Sequence, residues 1–303
     1  MPSISVEDID EFGLNPPVTI VESLDNFEPS FEPGASRYQH VLSTGEPFDA
    51  LLVNKGSDVL VVSLHGALDR AKYVLPRFER MRTVIGYDVS SMYFADPALT
   101  REPHIQLAWH TGWDGFDQHQ IIADWSVRAA KAIGATRILF MGSSGGGFAA
   151  LQVSALVPGS VCLPFSPQTS IHRYLTGGNP KGIDAQRKYL EVVRPDLAVG
   201  NIWTMDYEPD WTLPAGDRMS VLSRYSKPLE NWVYMVQNVN EFHYTDHYFP
   251  FLAHAARGNN LHRIKVYEYA GGTSHNPPPP SEVIIALDAA LEWARELPPI
   301  LEN

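Results

Sequence analysis

Between Arg137 and Gln152 the chain reads RILFMGSSGGGFAALQ. Ile138 to Met141 make an apolar run suited to a buried strand, glycines crowd the turn that follows, and small residues then favour a helix. A strand that hands over to a helix within a few residues belongs to a parallel sheet, because the helix must carry the chain back before the next strand can start. Two chemistries use that junction. In one, a strained turn lifts a serine clear of the backbone as a nucleophile. In the other, the free N–H groups of the helix start cradle a phosphate. The remaining sequence decides between them.

The pattern continues along the chain. RYQHVLS and FDALLVN, joined around Gly45, alternate as an antiparallel pair. Asp58–Gly66, DVLVVSLHG, is β-branched and apolar, as suits a strand covered on both faces. SSMYFADP is another strand, stopped at Pro97. FDQHQIIADWSVRAAKAIG has apolar residues at helical spacing, with Asp117 placed to cap its start and Gly134 to end it. After RILFMG and a helix from about Gly145 to Leu156 come the strands SVCLPFS, NWVYMVQN (Asn231–Asn238) and RIKVYEYAGG (Arg263–Gly272). A last helix starts at Ser281 behind four prolines. This alternation predicts an α/β fold, with a mostly parallel central sheet and helices on both faces.

Two stretches fall outside the alternation. Residues 1–35 are acidic and proline-rich, and read as an extended arm lying on the domain. From Pro167 to Pro228 roughly sixty residues hold no convincing strand, and a structureless loop of that length is foreign to a compact domain. Residues 167–228 therefore read as an inserted helical cap over the carboxyl ends of the strands, leaving 36–166 and 229–303 as the core. Trp203 and Trp211 are candidates either for a pocket lining or for packing within the cap.

Gly142-Ser143-Ser144-Gly145-Gly146 fits G-x-S-x-G with Ser144 at its centre. Side chains two residues to either side would strike the backbone that passes closely there. The rival reading has its own match, since Gly145, Gly147 and Ala150 fit G-x-G-x-x-A. A dinucleotide site wants an acidic residue about 20 positions on, at the tip of the next strand. That strand ends CLPFSPQTS, and no acid follows before Asp184. The phosphate cradle fails on its own terms.

A nucleophilic serine needs a base and an acid, in the chain order serine, acid, histidine. His275, in GGTSHNPPPP, lies in the loop between the last strand and the last helix, where topology delivers a base to Ser144. Glu241 stands three residues past NWVYMVQN, within reach of the far imidazole nitrogen, where it can fix the tautomer and stabilise the imidazolium. Asp246 is the alternative acid, although an aspartate at a helix start more often caps. His65-Gly66-Ala67 follows an early strand, where the second oxyanion donor of such sites arises. This assigns the oxyanion hole to the backbone N–H groups of Gly145 and Ala67, with Gly66 allowing close approach. His65 itself reads as a structural side chain that holds the loop.

Strand–HG–loop, G-x-S-x-G elbow, post-strand acid and terminal-loop histidine together resemble the α/β-hydrolase superfamily, over roughly Tyr38 to Leu297. Within it, FMGSSGGGFAAL with HGALDR, FSPQT and the glutamate after QN resembles a branch with acetyl-transferring proteins of accessory secretion systems and capsule-biosynthesis hydrolase-like proteins. That resemblance implies a glutamate as the acid and a carbohydrate-linked acyl group as substrate. The triple glycine after Ser144 and the inserted segment depart from ordinary esterases, so substrate does not carry over.

The other constellations read more plainly. His243, Asp246 and His247 in EFHYTDH lie close enough for a metal site, but no H-E-x-x-H or second ligand cluster accompanies them. Trp109, His110, Trp113 and His119 border a cleft or, in the case of Trp109, pack in the core. Asp69 and Asp96 follow strand ends and read as caps rather than substrate ligands. The single cysteine, Cys162, reads as a small buried hydrophobe. A net charge of -12 without a basic cluster argues against nucleic acid and anionic membrane surfaces. The acidic N-terminus lacks the blocks of a signal peptide, and no apolar stretch approaches about 18 residues. The expectation is a cytoplasmic serine hydrolase without cofactor or metal, cleaving a small-molecule or carbohydrate ester through an acyl-enzyme. An O-acyltransferase using the same residues and a non-catalytic binding protein on the same fold are the alternatives.

Overall fold

The computed structural model describes residues 16–301. Its strands are β1 Val18–Ile20, β2 Gly34–Val41, β3 Pro47–Asn54, β4 Val59–Leu64, β5 Ser90–Phe94, β6 Gly112–Trp113, β7 Phe116–Asp117, β8 Arg137–Ser143, β9 Val161–Phe165, β10 Trp232–Asn238 and β11 Ile264–Tyr269. Helices are α1 Met81–Val84, α2 Gln118–Ile133, α3 Gly145–Ser154, α4 Asp184–Val192, α5 Val221–Tyr225, α6 Phe249–Arg257 and α7 Pro280–Glu296. One nine-stranded sheet runs in the order β1-β2-β3-β5-β4-β8-β9-β10-β11, and β6 and β7 pair separately. Only β3 is antiparallel to its neighbours, β2 and β5; every other pairing in the sheet is parallel.

The β-branched run of β4 explains the layering. Leu60, Val62 and Leu64 enter one core with Trp125 of α2 and Phe148 of α3. Val59 and Val61 enter a second core on the opposite face, with Val283, Leu287 and Leu291 of α7. Full burial of each such side chain contributes about 1.5–3 kcal/mol, so a strand apolar on both faces is driven to the middle of the sandwich. As the sequence predicts, Asp117 caps α2 by accepting from the Gln120 N–H, and Gly134 ends it in the left-handed region at φ 74°. The last helix starts one residue earlier than expected, because Pro280 suits the first helical position.

Residues 16–35 pack against α2. Phe27 stacks on Trp125 with ring centroids 3.9 Å apart, and the Trp125 indole donates to the Leu24 carbonyl. The same stretch also supplies β1, an edge strand absent from the sequence reading; three exposed residues carry no alternation to read. Residues 1–15 of the arm lie outside the described residues. The interval 167–228 holds α4, α5 and three 3-10 turns, joined across one isolated bridge between Ser170 and Ser220. No helix among the described residues is long and apolar enough to cross a membrane.

Candidate active site

Ser144 sits between β8 and α3 with φ 57° and ψ -117°, a backbone conformation that side-chain-bearing residues rarely adopt. Such a residue costs of order 1–3 kcal/mol and persists only where its surroundings over-determine it. Here close approach does so. A Cβ on Gly142 would stand 2.4 Å from the Gly146 carbonyl carbon, and one on Gly146 would stand 2.2 Å from the Leu64 oxygen. The Ser144 N–H donates to the Phe165 carbonyl, which fixes the turn from the side of β9.

The residues singled out from the loops meet at this turn. His275 Nε2 lies 2.9 Å from Ser144 Oγ, and His275 Nδ1 lies 2.5 Å from Glu241 Oε2. With a carboxylate as acceptor, Nδ1 carries the proton and Nε2 presents its lone pair to the serine hydroxyl. The Glu241 side chain is 1% exposed and that of His275 19%. The second Glu241 oxygen accepts from Gln237 Nε2 at 3.2 Å. Asp246 is not part of this chain. It lies in the π-helical turn Tyr244–Tyr248, accepts from the Thr245 hydroxyl at 3.0 Å and faces a separate cleft with Arg173 and His172. It is therefore not the helix cap expected either.

Gly66 passes so close that a Cβ there would stand 2.8 Å from the Ser143 oxygen. Its N–H is already committed to Glu79 Oε2 at 3.0 Å. Gly145 and Ala67 keep backbone N–H groups without a protein acceptor among the described residues. Both border the serine, and Ala67 lines a cavity of about 190 Å³ with Ser144, Phe165, His275 and Pro277. No residue of 167–228 lines that cavity. Trp211 instead packs inside its own segment, 5% exposed and donating to Gln186, while Trp203 is 61% exposed. Of the two alternatives, Trp211 packs within its segment and also borders a separate cavity with Leu197, Met205 and Leu213, and neither tryptophan lines the cavity at Ser144.

Two neighbours were missed from the sequence. Gln168 Nε2 donates to Ser144 Oγ at 3.0 Å, and its carbonyl oxygen accepts from the buried Trp109 indole. Its signal was there to read, in FSPQT just past the end of β9. His243 lies against His275 with ring centroids 3.9 Å apart at 32°. Its Nδ1–H donates to the Ser166 carbonyl at 2.9 Å, and burial holds the ring well below the ordinary histidine range. Glu241, His243 and His275 together offer ligand atoms within 4.8 Å of one another. A metal there would have to break the Glu241–His275 contact. The trio His243, Asp246 and His247 does not converge, since His247 Nδ1 accepts from the Thr169 N–H.

In the loop after β4, His65 Nε2 accepts from the Asp96 N–H at 3.0 Å, and Nδ1 then donates to the Gly66 carbonyl at 2.9 Å. Asp96 accepts from the N–H groups of Ala98 and His110 and caps the 3-10 turn Pro97–Thr100, whereas Asp69, expected as a cap, precedes no helix and closes a local turn by accepting the Ala71 N–H. Cys162 is fully buried, which pushes its thiol up. Burial lowers His65 to about 4 and His110, His119 and His247 to about 3. These rings stay neutral in the folded state while their unfolded counterparts take up protons below about 6.5. Their contribution to stability is thus complete above that value and is lost as pH falls from 6.5 towards 4 and 3. At pH 5.5 each costs on the order of 1 kcal/mol. The urea midpoint is accordingly expected to fall clearly between pH 7.5 and 5.5; an unchanged midpoint would mean that these histidines protonate in place.

No family model matches the chain, and no curated protein matches its sequence. Solved structures do. Carboxyl esterase 2 of the fungus Tuber melanosporum is 14% identical, with a TM-score of 0.56 over 97% of each chain. The glycosylation-associated protein complex of Streptococcus agalactiae is 15% identical, with a TM-score of 0.53 over 86% of this chain and 46% of that one. An acylaminoacyl peptidase of Pyrococcus horikoshii is 11% identical, with a TM-score of 0.51 over 88% of this chain and 41% of that one. The chain has the α/β-hydrolase fold. It spans less than half the length of the streptococcal and archaeal neighbours.

Proposed function

We propose that the protein is a serine hydrolase of carboxylic esters that works through an acyl-enzyme. The observation that supports this most is the unbroken line of contacts from Ser144 Oγ through His275 to Glu241. In this reading Ser144 Oγ attacks the ester carbonyl and His275 Nε2 takes its proton. Glu241 holds the Nδ1–H and stabilises the imidazolium. The tetrahedral oxyanion is met by the N–H groups of Gly145 and Ala67. His275 then protonates the departing alkoxide. Water, deprotonated by the same nitrogen, releases the acid and returns the proton to Ser144. Gln168 steadies the serine oxygen between turnovers.

Hydrolysis rather than transfer is favoured by the cavity, whose lining lacks any residue of 167–228 that would sequester the acyl-enzyme from water. The test has two arms. A fluorophosphonate should label Ser144 in the native protein and leave Ser144→Ala unlabelled; no adduct on the native chain would point to a binding protein. A small activated acetyl ester should yield free acetate whatever sugar is added. Acetylated sugar accumulating with faster ester consumption would make the protein an O-acyltransferase.

A further inference from the structure

Gly66 is the point at which the loop after β4 could lose its shape. Without a Cβ its backbone rotates freely, yet the mechanism proposed above needs the next N–H, that of Ala67, aimed steadily at the oxyanion. Two side chains hold it. His65 Nδ1 donates to the Gly66 carbonyl at 2.9 Å. The C=O and N–H of one peptide unit point in opposite directions, so this contact turns the Ala67 N–H away from the His65 ring. Glu79 Oε2 accepts the Gly66 N–H at 3.0 Å and fixes the peptide unit before it. Glu79 is tied to β4 a second time, because its carbonyl accepts from the Ser63 hydroxyl at 2.8 Å.

The next residue reaches the opposite wall. Arg80 has φ 67°, a left-handed backbone that a long side chain keeps only where its surroundings dictate it. Its Nη2 donates to Ser143 Oγ at 3.0 Å, one residue before the nucleophile, and its buried Nε lies 4.0 Å from Glu79 Oε1. Phe78 and Met81, on either side of the pair and each 1% exposed, anchor it in a core with Leu51 and Tyr93. One rigid dipeptide thus grips the exits of both β4 and β8. Those exits touch, since a Cβ on Gly66 would stand 3.7 Å from the Gly145 nitrogen. Glu79, Ser143 and Ala67 all line the cavity at Ser144. Resting on the esterase reading, the geometry points to Glu79 and Arg80 as positioning residues, a brace that sets the gap between the Ala67 and Gly145 N–H groups. Neither side chain needs to touch the ester, because each acts through a main-chain segment that does. A displacement of about 1 Å in such a site can cost on the order of a hundredfold in rate.

Glu79→Ala should lower kcat for an activated acetyl ester by roughly 10- to 100-fold while KM stays within about threefold of native, because the oxyanion forms only after binding. Fluorophosphonate labelling of Ser144 should slow by a similar factor, since the phosphoryl oxygen uses the same two N–H groups. Glu79→Gln keeps an acceptor for the Gly66 N–H and should recover kcat to within about fivefold of native. Arg80→Met removes the other end of the brace and should also lower kcat with little change in KM. It carries the test by itself if Glu79→Ala does not fold. The double variant should be little slower than Glu79→Ala, because two parts of one brace do not add. Native-like kcat in both single variants, a loss confined to KM, or Glu79→Gln as slow as Glu79→Ala would overturn the brace and leave the esterase reading standing. If the native protein neither hydrolyses an ester nor takes up the phosphonate, the esterase reading fails and the brace falls with it.

Discussion

Ser144→Ala and His275→Ala are each expected to lower kcat/KM for an activated acetyl ester by roughly 10⁴- to 10⁶-fold, and the double variant by little more. In the proposed mechanism both groups act in one proton transfer. Once Ser144 Oγ is gone, the 2.9 Å contact has nothing to deprotonate, and removing the imidazole then takes away a function already lost. In the proposed mechanism what activity remains comes from the N–H groups of Gly145 and Ala67, which neither substitution touches. The fold should survive. Ser144 is held by backbone contacts, its N–H to Phe165 and its carbonyl to the N–H groups of Phe148 and Gln168, and alanine keeps all of them. Circular dichroism and thermal melts of each variant control for this. Losses that multiply in the double variant would show two independent contributions rather than a shared mechanism.

How much of this was legible follows from how local each determinant is. β4 was readable because both of its faces are apolar, and the elbow because its glycines are dictated by contacts under 3 Å. His275 and Glu241 were readable from topology, since the loops after parallel strands converge on one edge of the sheet. The place of His243 was not, because it arises only when β9 and β10 lie side by side. The Ser166 carbonyl that receives His243 comes from one loop and the histidine from the other. β1 was illegible for a simpler reason: an exposed edge strand of three residues has no buried face to impose a pattern.

The choice of acid gives the second large effect. Glu241→Gln is expected to lower kcat/KM by on the order of 10³- to 10⁴-fold. The amide is nearly the same shape as the carboxylate, so packing around this almost fully buried side chain should change little. Its chemistry differs at the nitrogen it faces. A glutamine can donate to His275 Nδ1, and an imidazole accepting there carries its proton on Nε2, pointing N–H rather than a lone pair at Ser144. The negative charge that stabilised the imidazolium is lost as well. Asp246→Asn should by contrast stay within about threefold of native, since Asp246 is neither bonded to His275 nor part of the cavity that holds it, and only such contacts set the tautomer. Measuring both variants over pH 6 to 9 on the same ester separates the two readings, because a tautomer fault persists across that range while a shifted titration recovers at higher pH. A larger loss from Asp246→Asn than from Glu241→Gln would hand the role of acid to Asp246 and would require the loop after β10 to rearrange before catalysis.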